Sequence, residues 1–270
     1  MGGMQEFIPL GEHMITSTNN PQVKNLIQLN TKGKARRTSR ALVVEGVKMF
    51  REAPEEWIES VYVSESFLEK NPEILEKHTY EVLSDAVFKH VSDTMTPQGI
   101  LCVVKMPEYQ LEDLLGDNQT PPLLLVTENI QDPGNLGTMF RTAEGAGVTG
   151  ILMSRNTVDL FNPKTIRSTM GSVYRMRFVY TEDLEKSIFE LQERGVSCYA
   201  AHLKGETFYD KWDYRKPTAF FIGNEGNGLS EKIADTADTY IRIPMEGKLE
   251  SLNAAMAAGI LMYEANRQRR

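Results

Sequence analysis

Three polar, glycine-bearing stretches hold most of the residues in this chain that could grip and orient a ligand. The first is Glu128-Asn129-Ile130-Gln131-Asp132-Pro133-Gly134-Asn135-Leu136-Gly137, directly after the apolar run 123–127. The second is Gly223-Asn224-Glu225-Gly226-Asn227-Gly228-Leu229-Ser230, after the apolar run 219–222. The third is Ile243-Pro244-Met245-Glu246-Gly247-Lys248-Leu249-Glu250-Ser251-Leu252-Asn253. Asp-Pro-Gly is strong turn chemistry, and three glycines in the second stretch let a backbone come close to a ligand around the single charge of Glu225. Ligands of open α/β sheets collect at the C-terminal ends of strands, which is where these stretches fall. Asn135 reads equally as a helix cap or as a ligand-holding amide. Ser251 and Ser230 read as helix N-caps or as hydroxyls of the site. Arg141 stands about 150° around its helix from the centre of the apolar stripe, at ~100° per residue, so it faces away from its own core.

Gly145-Ala146-Gly147-Val148-Thr149-Gly150 has the spacing of a dinucleotide fingerprint but the wrong context. That fingerprint follows a strand and opens a helix; here the glycines close a helix pattern and precede a strand, as a C-terminal stop and turn.

The elements that must position these loops are legible as alternating strands and helices. Residues 20–29 predict a short helix with Pro21 in its first turn, and the basic stretch TKGKARRTSR a loop or exposed helix. Strands are predicted at 41–44, 61–64, 80–83 and 99–104, with helices at 47–53, 65–77 (broken at Pro72) and 85–91. Residues 106–122, acidic and ending in Pro-Pro, read as a linker in which LEDLL can form one helical turn. A second α/β unit has predicted strands at 123–127, 151–153, 177–180, 198–201, 219–222 and 240–243. Its predicted helices are 134–147, 163–170, 182–194 and one from about Ser251. That last helix is apolar on two faces, Leu252, Ala255, Met256, Gly259, Ile260 and Tyr263 on one and Ala254, Ala258, Leu261 and Ala265 on the other, which suits burial or a second chain. The expected organisation is therefore a leader over 1–13, a first α/β domain with its basic segment over 14–105, a linker over 106–122 and a second α/β domain over 123–270.

Composition sets the outer bounds. The chain has 270 residues, 41% hydrophobic and 25% charged, as globular proteins do, and no apolar run near the ~20 residues of a bilayer span. Two distant cysteines make neither a disulfide framework nor a zinc site, and no basic-then-apolar segment opens the chain, so a cytoplasmic, metal-free protein is expected. The net charge is −7, yet residues 14–51 carry eight Lys or Arg against Glu45 alone. A charge split of this kind indicates either a segment that meets a polyanion or a solvated basic face. Residue types and spacing alone define a soluble α/β protein with a loop-built site, and no reaction.

The three stretches resemble the motifs of the SpoU (TrmH-type) RNA ribose methyltransferases of the SPOUT superfamily. The form N-x-x-D-P-x-N-x-G-x-x-x-R-T is met by Asn129, Asp132, Pro133, Asn135, Gly137, Arg141 and Thr142. The form G-x-E-x-x-G-L is met by Gly223, Glu225, Gly228 and Leu229. The form I-P-M-x-G-x-x-x-S-L-N is met by Ile243, Pro244, Met245, Gly247, Ser251, Leu252 and Asn253. Leu42-Val43-Val44-Glu45-Gly46 after the basic lead-in resembles the family's substrate-binding domain, itself like a ribosomal-protein fold. Thr169 stands where the family often has serine.

The resemblance implies an α/β fold with a C-terminal trefoil-knotted SPOUT domain, preceded by a small α/β RNA-binding domain. It implies S-adenosylmethionine bent in the knot against Gly223, Ile243 and Leu252, and a homodimer formed through the C-terminal domain. Transfer of the methyl group to a ribose 2′-hydroxyl of RNA, most readily ribosomal RNA, is the implied reaction. Arg141 matches the family's proposed base; clamping an RNA phosphate and stabilising the alkoxide is an equally physical role for an always-charged guanidinium. Asn135, Glu225, Ser251 and Asn253 would orient RNA and Arg141. Lys24, Lys32, Lys34, Arg36, Arg37 and Arg40 would hold RNA by its phosphates. The competing readings are a tRNA ribose methyltransferase, a base methyltransferase of another SPOUT branch, and a non-catalytic RNA-binding or ribosome-assembly protein on the same fold.

Overall fold

The computed structural model describes residues 14–75, 78–117, 119–249 and 251–270; the expected leader, residues 1–13, lies outside the described residues. The chain divides into one unit of Met1–Met106 with Phe161–Pro163, and another of Pro107–Leu160 with Lys164–Arg270.

In the first unit, Asn20 accepts from the Gln22 amide and opens α1 (Pro21–Thr31), which buries Val23, Leu26 and Leu29. The basic stretch is helical, forming α2 (Gly33–Ser39). Then follow β1 (Ala41–Glu45), α3 (Val47–Glu52), β2 (Ile58–Ser64), α4 (Glu65–Lys70), β3 (Glu81–Leu83), α5 (Asp85–Val91) and β4 (Ile100–Lys105). The helix expected over 65–77 stops at Lys70, and Pro72 opens a separate 3-10 turn, because its ring cannot continue the ladder. The sheet order is β1-β4-β2-β3, with β4 antiparallel to both neighbours and β3 parallel to β2. Val23, Leu26, Leu29, Val43, Tyr62, Leu83, Val87, Phe88 and Leu101 share one core.

Arg36 departs from the expectation that it faces RNA. It is 4% exposed, and its Nη1 donates to Leu29 O at 2.7 Å and Asn30 O at 3.2 Å. Those carbonyls end α1 and have no intrahelical partner, so the guanidinium serves as their cap. Lys24, Lys32, Lys34, Arg37 and Arg40 are exposed.

In the second unit, the stretch expected to be a linker with one possible helical turn at LEDLL has that turn and contributes to the core. Residues Leu111–Leu115 form a 3-10 turn, and fully buried Leu114 packs with Leu124, Val126 and Leu152. The strands and helices that follow are β5 (Leu123–Thr127), α6 (Pro133–Ala146), β6 (Gly150–Ser154), α7 (Pro163–Thr169), β7 (Phe178–Thr181), α8 (Leu184–Glu193), β8 (Ser197–Ala201), β9 (Thr207–Phe208), β10 (Thr218–Ile222), α9 (Glu231–Ala234), β11 (Thr239–Arg242) and α10 (Ala254–Arg269). Every pairing in the seven-stranded sheet β7-β6-β5-β10-β8-β11-β9 is parallel. The fully buried runs of β5, β6 and β10 are what a sheet covered on both faces requires. From β5 the chain winds outward to β6 and β7; the later strands lie on the other side, across β10. The β5–β10 boundary is thus a switch point, where two loops leave the same sheet edge and open a crevice. Helix α10 packs on α6, β5 and β10. Gly147, at φ 78°, closes α6 with its amide on Ala143 O, so the fingerprint-like glycines are a helix stop.

Candidate active site

Asp132 caps α6, its carboxylate accepting from the Asn135 amide at 2.8 Å, with Pro133 in the first turn. That cap aims the Asn135 side chain outward, where its Nδ2 donates to Glu225 Oε1 at 3.0 Å. The same carboxylate accepts from the Asp132 amide at Oε1 and the Gln131 amide at Oε2, both at 3.0 Å. Burial pushes the Glu225 carboxyl up, but donation from Asn135 and from the two amides together outweighs it and holds the group below its ordinary value. Glu225 is therefore an anion at neutral pH, an acceptor rather than an acid.

Asn253 completes the arrangement. Its Oδ1 accepts from the Ala255 and Met256 amides, making it the N-cap of α10, one of the two roles read for Ser251. Its Nδ2 then donates to Asn135 Oδ1 at 3.0 Å. One relay, Asn253 to Asn135 to Glu225, joins all three stretches.

Beside Glu225 lies a cavity of about 320 Å³, lined by Gly223, Leu229, Ile243, Ser251 and Leu252, among others. Its size is at the lower end of small-ligand pockets, and its walls are mainly apolar side chains and loop backbone. Gly223, besides lining the cavity, also lets its own loop close. A Cβ on Gly223 would stand 2.1 Å from Gly228 C and Leu229 N, so this glycine lets the loop close on itself. Asn224 and Gly228 exchange backbone hydrogen bonds across that closure.

Gly137 has an analogous reason: a Cβ there would meet Ser168 Cβ at 2.3 Å, so α6 and α7 touch closely. Thr169 is fully buried and donates its hydroxyl to Ile166 O, within its own helix.

Arg141 is not part of the relay. It is exposed on α6, outside the cavity lining, roughly 9 Å along the axis from Asn135 at 1.5 Å per residue. Among the described residues no hydrogen bond or ion pair engages its guanidinium.

Sequence reasoning matched Asn129 to a motif without giving it a role in the site, and gave none to Asn224 or Glu128. Asn129 has φ 55°, a left-handed turn position that asparagine tolerates, and its amide donates to Ser154 Oγ at 2.8 Å. Asn224 Nδ2 donates to Asn129 O at 2.8 Å while its Oδ1 takes the Gly226 and Asn227 amides. A polar side chain within two residues of a strand end was the available signal.

Known proteins are similar to this chain in sequence and in fold. The model of the SpoU rRNA Methylase family matches residues 122–263, and that of the MRM3-like substrate binding domain matches residues 20–102. The 23S rRNA (guanosine(2553)-2′-O)-methyltransferase RlmP of Bacillus subtilis (strain 168) is 35% identical over 254 residues, 92% of this chain and 97% of RlmP. An rRNA methyltransferase from Sinorhizobium meliloti superposes with a TM-score of 0.82 at 32% identity, covering 94% of this chain and 97% of its own. Its AdoMet-bound form superposes equally well, with a TM-score of 0.82 at 31% identity and the same coverage, 94% and 97%. Fold and site together define an S-adenosylmethionine-dependent methyltransferase. The chain belongs to the SpoU rRNA methylase family.

Proposed function

We propose that this enzyme methylates a ribose 2′-hydroxyl of ribosomal RNA and works as a cytoplasmic homodimer. The observation that carries the reading is the Asn253–Asn135–Glu225 relay, which draws three distant segments together at the edge of one cavity. Its relatives RlmP and the Sinorhizobium meliloti protein are rRNA methyltransferases by name.

The cavity suits the methyl donor. Leu229, Ile243 and Leu252 offer apolar faces for a purine, and the loop backbone at Gly223, Ile243 and Leu252 offers hydrogen-bonding groups at its edges. S-Adenosylmethionine, when bound, supplies an electrophilic sulfonium methyl. The chain's own task is to bring the ribose oxygen into line with the methyl–sulfur bond, which would break to release the neutral thioether, and to assist passage of the hydroxyl proton to solvent water. Alignment contributes up to about 7–11 kcal/mol in favourable cases, and proton assistance about 10²–10⁴-fold. Glu225 fixes Asn135, and Asn135 with Asn253 and Ser251 orients the ribose and its phosphate. Arg141 holds that phosphate and the developing oxyanion with its planar donor fork.

Arg141 does this across the dimer. One face of α10 is consumed within its own unit: Ala258, Leu261 and Ala265 are fully buried. The other shows Met256, 61% exposed, and Tyr263, 46% exposed. That apolar strip beside α6 fits a second copy, which would carry its own Arg141 towards this relay. Lys24, Lys32, Lys34, Arg37 and Arg40, exposed on a unit matching a substrate-binding domain, hold RNA by its phosphates. No helix among the described residues is long and apolar enough to cross a membrane.

The test is transfer of labelled methyl from S-adenosylmethionine to purified rRNA and tRNA, followed by nucleoside analysis. A 2′-O-methylnucleoside from rRNA is expected. Label in tRNA instead, on a base, or nowhere despite donor binding would favour the tRNA, base-modifying or non-catalytic reading respectively.

A further inference from the structure

The seven residues from Gly223 to Leu229 wall the cavity with three glycines and four side chains, a composition that leaves an unsupported loop free to wander. It closes on itself through contacts of its own, between Gly223 and Gly228–Leu229 and between Asn224 and Gly228. The residues that flank it on either side, Ile222 and Ser230, are both held by one residue. The Glu128 amide donates to Ile222 O at 2.9 Å, immediately before the loop begins. The Glu128 carboxylate, on a residue 8% exposed, accepts from the Ser230 amide at Oε2 and from the Ser230 hydroxyl at Oε1, both at 2.7 Å, immediately after the loop finishes. Ser230 Oγ in turn accepts from the Ile233 amide and caps α9.

We infer that Glu128 is a positioning residue for the methyl donor: it clasps the residues flanking the 223–229 loop on both sides and so fixes the cavity wall, without touching the reacting atoms. Charge-assisted bonds at these lengths are roughly twice as strong as neutral ones, and a buried carboxylate needs its donors. Ordering the wall in advance removes a cost otherwise met at each binding event, so the effect falls on donor affinity. The inference rests on the reading of the cavity as the S-adenosylmethionine site.

Glu128→Gln keeps size and the backbone bond but leaves one acceptor oxygen for two donors. S-Adenosylmethionine binding by calorimetry is expected to weaken about tenfold, with KM for the donor rising in step. The kcat at saturating donor and the affinity for rRNA are expected to stay within twofold to threefold. Ser230→Ala, which removes the hydroxyl and leaves the amide, gives a smaller loss, and Ser230→Thr binds as the wild type does. The double variant Glu128→Gln/Ser230→Ala is no weaker than Glu128→Gln alone, since both cut one clasp. Unchanged donor affinity in Glu128→Gln overturns the inference, as does an equal loss in kcat and in rRNA affinity. Should Glu128→Gln not fold, full donor affinity in Ser230→Ala overturns it. A wild-type protein that binds no S-adenosylmethionine overturns the cavity reading instead.

Discussion

The side-chain amide of Asn253 reaches Asn135 Oδ1 at 3.0 Å, joining residues 118 positions apart in the chain. Each of the two asparagines lies at the start of a helix, Asn253 as the N-cap of α10 and Asn135 within the capped first turn of α6. Helix starts are rigid points with amides to satisfy, so the caps that stabilise the fold also aim the amides that serve the site.

Breaking this bond should cost turnover more than folding. Asn253→Asp keeps the capping oxygen and loses the Nδ2 donor, so Tm should stay within a few degrees while kcat drops about 10–100-fold. Asn135→Ala should cost a similar factor, and the double variant little more, because both act through one relay. Steady-state kinetics with thermal melts check this.

Mixing two inactive variants tests where Arg141 works. Arg141→Ala and Asn135→Ala homodimers should each be nearly inactive. Randomly exchanged subunits should recover about a quarter of the wild-type sites, since half the dimers are mixed and each mixed dimer has one intact site. No recovery, despite demonstrated exchange, would place Arg141 in its own subunit's site.

Acid should loosen the site through Glu225. Its carboxyl lies below its ordinary value in the folded protein, so its contribution to stability is present above the unfolded-state value and is lost as pH falls through the folded one. Tm should therefore be flat in this respect from pH 7 to 5 and decline below about pH 4. Glu225→Gln should lower Tm at pH 7 and show a shallower acid decline in melts across that range.

The basic segment should divide into two kinds of residue. Removing charge at Lys32, Lys34 or Arg37 should weaken RNA binding and lower the slope of log affinity against log salt by about 0.7–0.9 for each phosphate no longer neutralised. Arg36→Ala should leave that slope unchanged and destabilise the first unit by about 1–3 kcal/mol, because two helix-end carbonyls lose their donor. Salt-titrated binding and denaturant melts separate the two.

Sequence periodicity reached most of the architecture because buried parallel strands are near-continuous apolar runs: 123–127 and 219–222 differ from β5 and β10 by at most one residue. The site was legible where a motif fixed the residue type, as at Asn135, Glu225 and Asn253. It was less legible where tertiary packing assigns the role. Charge placed Arg36 on the surface, but whether an arginine turns outward or onto the carbonyls seven residues back depends on how α2 follows α1. Acidic composition and Pro-Pro made 106–122 look like a spacer, yet Leu114 is core, and Gly150 leaves it room: a Cβ there would stand 2.6 Å from Leu114 Cβ. Gly223 lines the cavity and also makes a close approach to its own loop. Composition cannot show which of two backbones approaches.

The central claim is that the assembled relay, with Arg141, methylates a ribose of ribosomal RNA. Nucleotide-resolution mapping of 2′-O-methylation in rRNA tests it directly, comparing cells with the gene, cells lacking it, and cells complemented with the wild-type or the Arg141→Ala chain. A discrete rRNA position should lose its methyl group on deletion, regain it with the wild-type chain and stay unmodified with Arg141→Ala. An rRNA map unchanged by deletion would contradict the account.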